Sequence, residues 1–418
     1  MYRERGTRSE SVQEGESPIE NRGIIKKRGV IMSKTTNTTA DNAETKYSSV
    51  FRKLEIGRVS LPNRIAFPAF QFNYANTDGT VSEKLLNVYT ALAKGGCGLI
   101  FTGCAVVSPD TVAFDRVMRI DSDQYIPGLK KLFSEIETYG SVPGIQIAHY
   151  GRQALNAVTG HDLLAPSAIP CPVMSQYDPN YYVREMTSKD IEQVRDDFIT
   201  SAARAADAGA KVVEVHVVHG YLLNEFLSPY SNKRTDDYGG SVENRARLIT
   251  EIIEGISTNL QQKAAISVRV SGHEFVEGGL TPPDFAEIIP LFENAGMDLL
   301  SVAAGVYESM ERIVPPVSLG EAPHVAVAAE LKQYADVPVC CVGSIFSLEK
   351  AESIISSGEA DLVAMGRAQV ADPEIVAKSA SGREAEIRKC TWCNTCTFWT
   401  TGDPEMYCTV NPLLKKKG

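Results

Sequence analysis

The sequence predicts an α/β protein: a (β/α)8 TIM barrel with a short C-terminal cysteine-rich extension. Two observations carry the prediction. Eight short apolar runs alternate with longer segments of helical period, which signals parallel βα units. The chemistry-bearing residues gather just after those runs, where a barrel keeps its active site. A third observation weighs against the rival open doubly wound sheet: no GxGxxG opens the first helix.

The predicted strands are 64–70, 98–102, 142–147, 211–216, 264–270, 298–302, 337–342 and 361–365. Helical period fills 82–94, 125–139, 187–208, 242–257, 281–295, 325–334 and 347–357. The strand ends carry Pro68, Ala69 and Phe70, then Gly103, Gln146 with His149, His216 with His219, Arg269, Ala303-Ala304-Gly305, Gly343 with Ser344, and Gly366 with Arg367. The stretch 154–187 holds four prolines and three tyrosines between predicted elements. A loop this long reads as a lid or binding loop, or as an excursion covering a barrel edge.

Composition sets the class. The chain has 418 residues, 43% of them hydrophobic and 22% charged, enough for one large barrel with tails. Net charge is −10, so neither nucleic acid nor an anionic membrane surface is an expected partner. No run nears the roughly 20 apolar residues of a membrane span. Three regions follow: a polar tail over 1–46 expected to be disordered, a barrel over 47–380, and a cysteine-rich segment over 381–418. An interaction tail is the other reading of 1–46, and Met32 is an alternative start. The missing apolar stretch of a signal peptide points to a cytoplasmic protein. A homo-oligomer stays open.

Glycine after two adjacent buried strands, at Gly343-Ser344 and Gly366-Arg367, suits a phosphate, which backbone amides and an arginine fork can hold. The alternative is two plain turns. Arg269 at a strand end needs an anion. A flavin ring, which gathers negative charge at one edge on reduction, would supply it, with Gln146 at the same polar edge. A buried salt bridge is the other reading, although no acidic partner is evident. His216 and His219 can hold one carbonyl oxygen and polarise it, and Tyr221 can supply a proton. Zinc binding or a structural histidine pair stays open.

These residues resemble the Old Yellow Enzyme family of FMN oxidoreductases, from about Val50 to Lys378. The likeness rests on Leu54-Glu55-Ile56-Gly57 with Leu61-Pro62-Asn63-Arg64-Ile65, and on Gln146-Ile147-Ala148-His149-Tyr150-Gly151-Arg152. It rests most on His219-Gly220-Tyr221-Leu222 through Arg234-Thr235-Asp236-Asp237-Tyr238-Gly239-Gly240-Ser241 and Glu243-Asn244-Arg245. The resemblance implies that Pro68, Ala69, Gly103, Gln146 and Arg269 contact the flavin ring. It assigns Gly343, Ser344, Gly366 and Arg367 to the FMN phosphate. It makes His216 and His219 the carbonyl ligands and Tyr221 the proton donor. Phe70 stands where many members carry a Thr or Cys that tunes the flavin, so the family's redox potential does not transfer.

Four of the nine cysteines, Cys390, Cys393, Cys396 and Cys408, crowd near the C-terminus, which favours a metal or cluster over disulfides. With Thr409-Val410-Asn411-Pro412 they resemble the [4Fe–4S] segment of trimethylamine dehydrogenase and 2,4-dienoyl-CoA reductase. Structural zinc is the rival occupant. In those larger enzymes a further domain follows, so the resemblance implies an electron-transfer protein as partner, or direct hydride entry at FMN. Neither enzyme is matched at the substrate side. The amine dehydrogenase lacks the first histidine and has its flavin-linking Cys at the place of Phe70. The dienoyl-CoA reductases lack the pair and carry a histidine near Tyr307.

Two functions are therefore expected, both with FMN. One is an ene-reductase using NAD(P)H on a small α,β-unsaturated carbonyl compound. The other is a dehydrogenase or reductase subunit exchanging electrons with a partner through the cluster. A flavin-binding carrier or sensor is the non-enzymatic alternative.

Overall fold

A computed structural model describes residues 46–261, 263–397 and 405–415. The tail expected over 1–46 thus lies outside the described residues except for its last position. Eight parallel strands close into a barrel: β1 (Ile65–Phe67), β2 (Leu99–Val106), β3 (Val142–Ala148), β4 (Val212–Val217), β5 (Ala265–Ser271), β6 (Leu299–Ala303), β7 (Val339–Val342) and β8 (Leu362–Ala364). Each pairs with the next, and β1 pairs with both β8 and β2, so no edge is left. All eight lie on the predicted runs.

Helices return the chain between strands. They are α1 (Glu83–Lys94), α2 (Ile126–Thr138), α3 (Ser188–Ala208), α4 (Val242–Leu260), α5 (Phe285–Ala295), α6 (Val325–Leu331), α7 (Leu348–Ser356) and the short α8 (Gly366–Ala371). α3 shows how sequence sets their limits. The Thr187 hydroxyl accepts from the Asp190 amide while the Asp190 carboxylate accepts from the Thr187 amide, which satisfies two open donors at the start. Ile191, Val194, Phe198, Ala202, Ala205 and Ala208 recur every three or four residues and face the sheet. Gly209, at φ 106°, ends the helix in a conformation that penalises a Cβ.

The antiparallel hairpin Leu54–Ile56 with Val59–Leu61 has no counterpart among the predicted strands. Leu54, Ile56 and Leu61 pack with Leu99, Phe101, Val212, Leu299 and Leu362, plugging the N-terminal end of the barrel. The mouth is thus the open end.

The 154–187 excursion is ordered. Leu163–Ala165 and Val183–Glu185 pair as a parallel two-stranded sheet. Arg234 holds its base by donating to the carbonyls of Pro166 at 2.9 Å and Met186 at 2.7 Å. Asn232 donates to the carbonyls of Phe226 and Tyr238. The most distinctive stretch of the sequence therefore braces the loops beside the mouth. At the C-terminal side, Cys396, Met406, Cys408 and Leu414 join the main hydrophobic core, so this segment packs onto the barrel.

Candidate functional site

Strand register builds the mouth. Gln146 on β3 lies opposite Glu214 on β4, and Glu214 lies opposite Ser267 on β5. Two residues further along the same face, His216 lies opposite Arg269, and Arg269 opposite Ser301. A polar row is thus followed by a cationic one inside an otherwise apolar barrel.

Glu214 is a buried acid on the strand beside Arg269. It is 1% exposed, accepts from Gln146 Nε2 at 2.7 Å and from Ser267 Oγ at 3.0 Å, and feels the charge of Arg269. Burial raises its pKa, and the arginine and these donors oppose that rise. This buried acid, not singled out from the sequence, stands two residues before His216. A lone acid inside the run Val212-Val213-Glu214-Val215 was its signal.

One cavity of about 240 Å3 is lined by Pro68, Ala69, Gln146, His216, His219, Tyr221, Arg269, Gly343, Ser344, Gly366 and Arg367. The structure thus brings together all but one of the residues expected at the flavin and the substrate. The exception is Gly103, which lies outside the lining and whose amide donates to the Tyr89 hydroxyl at 3.1 Å. His149 is also elsewhere: it is buried, and its Nδ1 accepts from the Gly151 amide. Tyr150 of the 146–152 motif and Cys396 of the cysteine motif line the cavity too, as do Cys104, Phe114 and Met406, for which no periodic or motif signal exists. A larger cavity of about 390 Å3, between α1 and the C-terminal segment, holds none of the expected residues.

At the inner end, Arg269 Nε and His216 Nδ1 are buried without a hydrogen-bond partner among the described residues. Burial, then the charge of Arg269, pushes His216 down to about 3, and the same two causes push His219 well below its usual value. Both rings are therefore neutral near pH 7. Their centroids are 5.9 Å apart. Tyr221 stacks on His216 at 4.6 Å and meets Tyr150 edge-on at 4.9 Å, and its hydroxyl is 3.0 Å from that of Tyr307.

At the outer end, Gly343 sits at φ 140°, and a Cβ there would fall 2.3 Å from His324 Nδ1. Only glycine suits that close approach. Arg367 is 8% exposed; it donates to the Pro315 carbonyl at 3.0 Å and also to Ser344 Oγ and Asn394 Oδ1. Its guanidinium lies over the rings of Phe346 and Trp392, at 5.3 and 5.7 Å. Trp392 and Asn394 belong to the cysteine segment, so one arginine touches both the mouth and that segment.

The four cysteines are mutual neighbours: Cys390, Cys393 and Cys408 each raise the pKa of Cys396 electrostatically, after burial, which raises it most. Burial also raises Cys393, but hydrogen bonds with Thr395 and Thr409 outweigh that and bring it to about 6. Among the described residues, however, no three His, Cys, Asp or Glu side chains are grouped closely enough to hold a metal ion.

A closed parallel barrel with an anion-seeking cleft at its strand ends is the frame of a barrel enzyme that binds a phosphorylated cofactor. The chain belongs to the NADH:flavin oxidoreductase / NADH oxidase family, whose model matches residues 49–386. The match ends just before the four cysteines. The NADH oxidase of Thermoanaerobacter brockii is 38% identical over 378 residues, covering 90% of this chain and 57% of that protein. The chain thus spans little more than half of that relative's length. The NADPH dehydrogenase of Bacillus licheniformis is 36% identical over 328 residues, covering 78% of this chain and 91% of that one. Among solved structures, 2-naphthoyl-CoA reductase in complex with 2-naphthoyl-CoA is similar at a TM-score of 0.83 and 29% identity, covering 88% of this chain and 57% of that one. No helix among the described residues is long and apolar enough to cross a membrane.

The depressed pKa of His216 has a measurable consequence. The folded chain keeps this ring neutral down to about pH 3, whereas the unfolded chain protonates it near 6.5. Below 6.5 the unfolded state therefore binds a proton the fold refuses, and stability falls by about 1.4 kcal/mol per pH unit from this residue. His216→Asn is expected to make the decline of unfolding free energy between pH 6 and 4 shallower by about that amount, measured by urea denaturation. An unchanged slope would show that the ring protonates within the fold.

Proposed function

We propose that the chain is an FMN-dependent oxidoreductase that uses NAD(P)H to reduce the C=C bond of small α,β-unsaturated carbonyl compounds. The observation that carries this reading is the pair of neutral histidines, one with an unpartnered nitrogen, beside a tyrosine hydroxyl in the cavity that also holds Arg269.

The residues present fit FMN. Arg269 offers an unpaired buried donor for the polar edge of the ring, and Gln146 is held in place by Glu214. Pro68 and Ala69 offer apolar contact, while Gly343, Ser344, Gly366 and Arg367 face the phosphate end. FMN, when bound, supplies the hydride relay between NAD(P)H and the alkene β-carbon. His216 and His219 donate hydrogen bonds to the substrate carbonyl oxygen and draw electron density from the alkene. They do so as neutral donors, which keeps a second charge from competing with Arg269. Tyr221 gives its proton to the α-carbon, and burial, which raises its pKa, keeps it protonated until that moment. The double variant His216→Ala with His219→Ala is expected to slow anaerobic reoxidation of the NADPH-treated enzyme by 2-cyclohexenone by about 10²–10³-fold. Flavin bleaching by NADPH should change far less. A wild-type reoxidation rate in the double variant removes the polarising role.

A second reading is a subunit that passes electrons through a [4Fe–4S] cluster to a partner protein. It is favoured by Cys396 and Met406 lining the same cavity, and by Arg367 lying beside Cys390, Cys396 and Cys393. An all-thiol set, with members close enough to perturb one another, suits iron–sulfur chemistry, and Cys390, Cys393, Cys396 and Cys408 would be the ligands. All nine cysteines are free, which suits a reducing compartment such as the cytoplasm. Anaerobically purified protein is expected to hold about four iron and four sulfide per chain, the content of one such cluster. Cys396→Ala should lose both while keeping flavin. Stoichiometric zinc without iron contradicts this reading and leaves the first intact.

A further inference from the structure

Tyr221 has a second phenol behind it. The Tyr307 hydroxyl lies 3.0 Å from that of Tyr221, and either can donate. Tyr221 lines the mouth cavity and Tyr307 does not, so the second ring sits on the side away from a substrate. Two loops meet to make the contact. His219 and Val306 form an isolated parallel bridge between the loops that follow β4 and β6. Tyr221 comes two residues after the first partner, and Tyr307 one residue after the second. The turn carrying Tyr307 is itself pinned: the Val306 amide donates to Ser309 Oγ at 3.0 Å, and that hydroxyl donates to the Glu274 carbonyl at 2.6 Å. Tyr307 is 4% exposed and packs with Cys171 and Met174 of the 154–187 excursion. The loop geometry thus fixes the distance between the two hydroxyls.

We propose that Tyr307 is a positioning residue that resupplies Tyr221 with the proton Tyr221 delivers to the substrate. The inference rests on the reading of Tyr221 as proton donor. The bonds balance as follows. The hydride pair, drawn from NAD(P)H by way of FMN, forms a C–H bond at the β-carbon. The alkene π pair moves to the α-carbon, which takes the proton of Tyr221. The Tyr221 oxygen takes the proton of Tyr307; once product leaves, Tyr221, which lines the cavity, takes one proton from solvent water and passes one back to Tyr307. The net consumption is one hydride from NAD(P)H and one proton from solvent.

The surroundings give the relay a purpose. Burial raises both phenols above their usual range, so a bare phenolate at Tyr221 would be costly. Cys104 faces Tyr221, and Tyr150 packs against it edge-on. Cys171 faces Tyr307 from the excursion. None of these carries a positive charge. A hydroxyl donor at hydrogen-bond distance is what the structure places there to share the developing charge.

The test uses holoenzyme and stopped-flow reoxidation by 2-cyclohexenone in mixtures of H2O and D2O. Tyr307→Phe keeps the ring that packs on Cys171 and Met174 and removes only the hydroxyl. It is expected to slow reoxidation about tenfold or more, toward the lower range of general acid effects. It should also turn a bowed dependence on deuterium fraction, with two protons in motion, into a straight one. Tyr307→His, which restores a donor, should recover part of the rate. Bound flavin and its bleaching by NADPH report that the variants fold and accept reductant. The relay is refuted if Tyr307→Phe keeps the wild-type rate and the bowed dependence while Tyr221→Phe is slow. If Tyr221→Phe itself keeps the wild-type rate, the donor reading falls and the relay falls with it.

Discussion

One buried charge arrangement governs the mouth of this barrel: Glu214 and Arg269 on adjacent strands, with Gln146 and Ser267 completing it. A carboxyl group in an apolar barrel is costly unless hydrogen-bonded, and here it accepts from Gln146 and Ser267 and feels the charge of Arg269. The arrangement has reach beyond stability. Glu214 fixes the direction of the Gln146 amide. Arg269 helps keep His216 and His219 neutral. These two groups thus set the donor pattern of the cleft.

Those residues meet because the barrel is closed. Closure fixes register between every pair of neighbouring strands, and register places alternate residues on the inner face. The hairpin plugging the opposite end leaves one mouth, so the loops after the strands converge there. The β4 and β6 loops are joined again by the His219–Val306 bridge.

Much of this was legible in the sequence. The eight apolar runs gave all eight barrel strands, because strands buried on both faces are written as continuous apolar stretches. Residues at the C-terminal ends of those runs, such as Gln146, Arg269 and Arg367, are assigned by the barrel rule to one mouth. What could not be read depends on contacts between distant loops. Tyr307, Cys104 and Met406 carry no local pattern that marks them as neighbours of Tyr221 or the cavity. The Leu54–Leu61 hairpin strands are three residues each, too short for a periodic signal. Gly103 was placed at the ring by position, yet its amide is spent on Tyr89. Glu214 is the instructive omission: an acid inside an apolar run announces buried hydrogen-bond partners, here Gln146 and Ser267.

The cysteine segment and the barrel share Arg367, which contacts Asn394 on one side and Ser344 on the other. On the proposed reading, the Ser344 side of this cation holds the FMN phosphate. The decisive measurement is a fluorescence titration of deflavinated wild type and Arg367→Met with FMN and with riboflavin, which lacks the phosphate. FMN affinity is expected to fall about 10–100-fold in the variant, the worth of a charged hydrogen bond, while riboflavin affinity stays within about twofold. Equal loss for both ligands, or no loss for FMN, would contradict that reading.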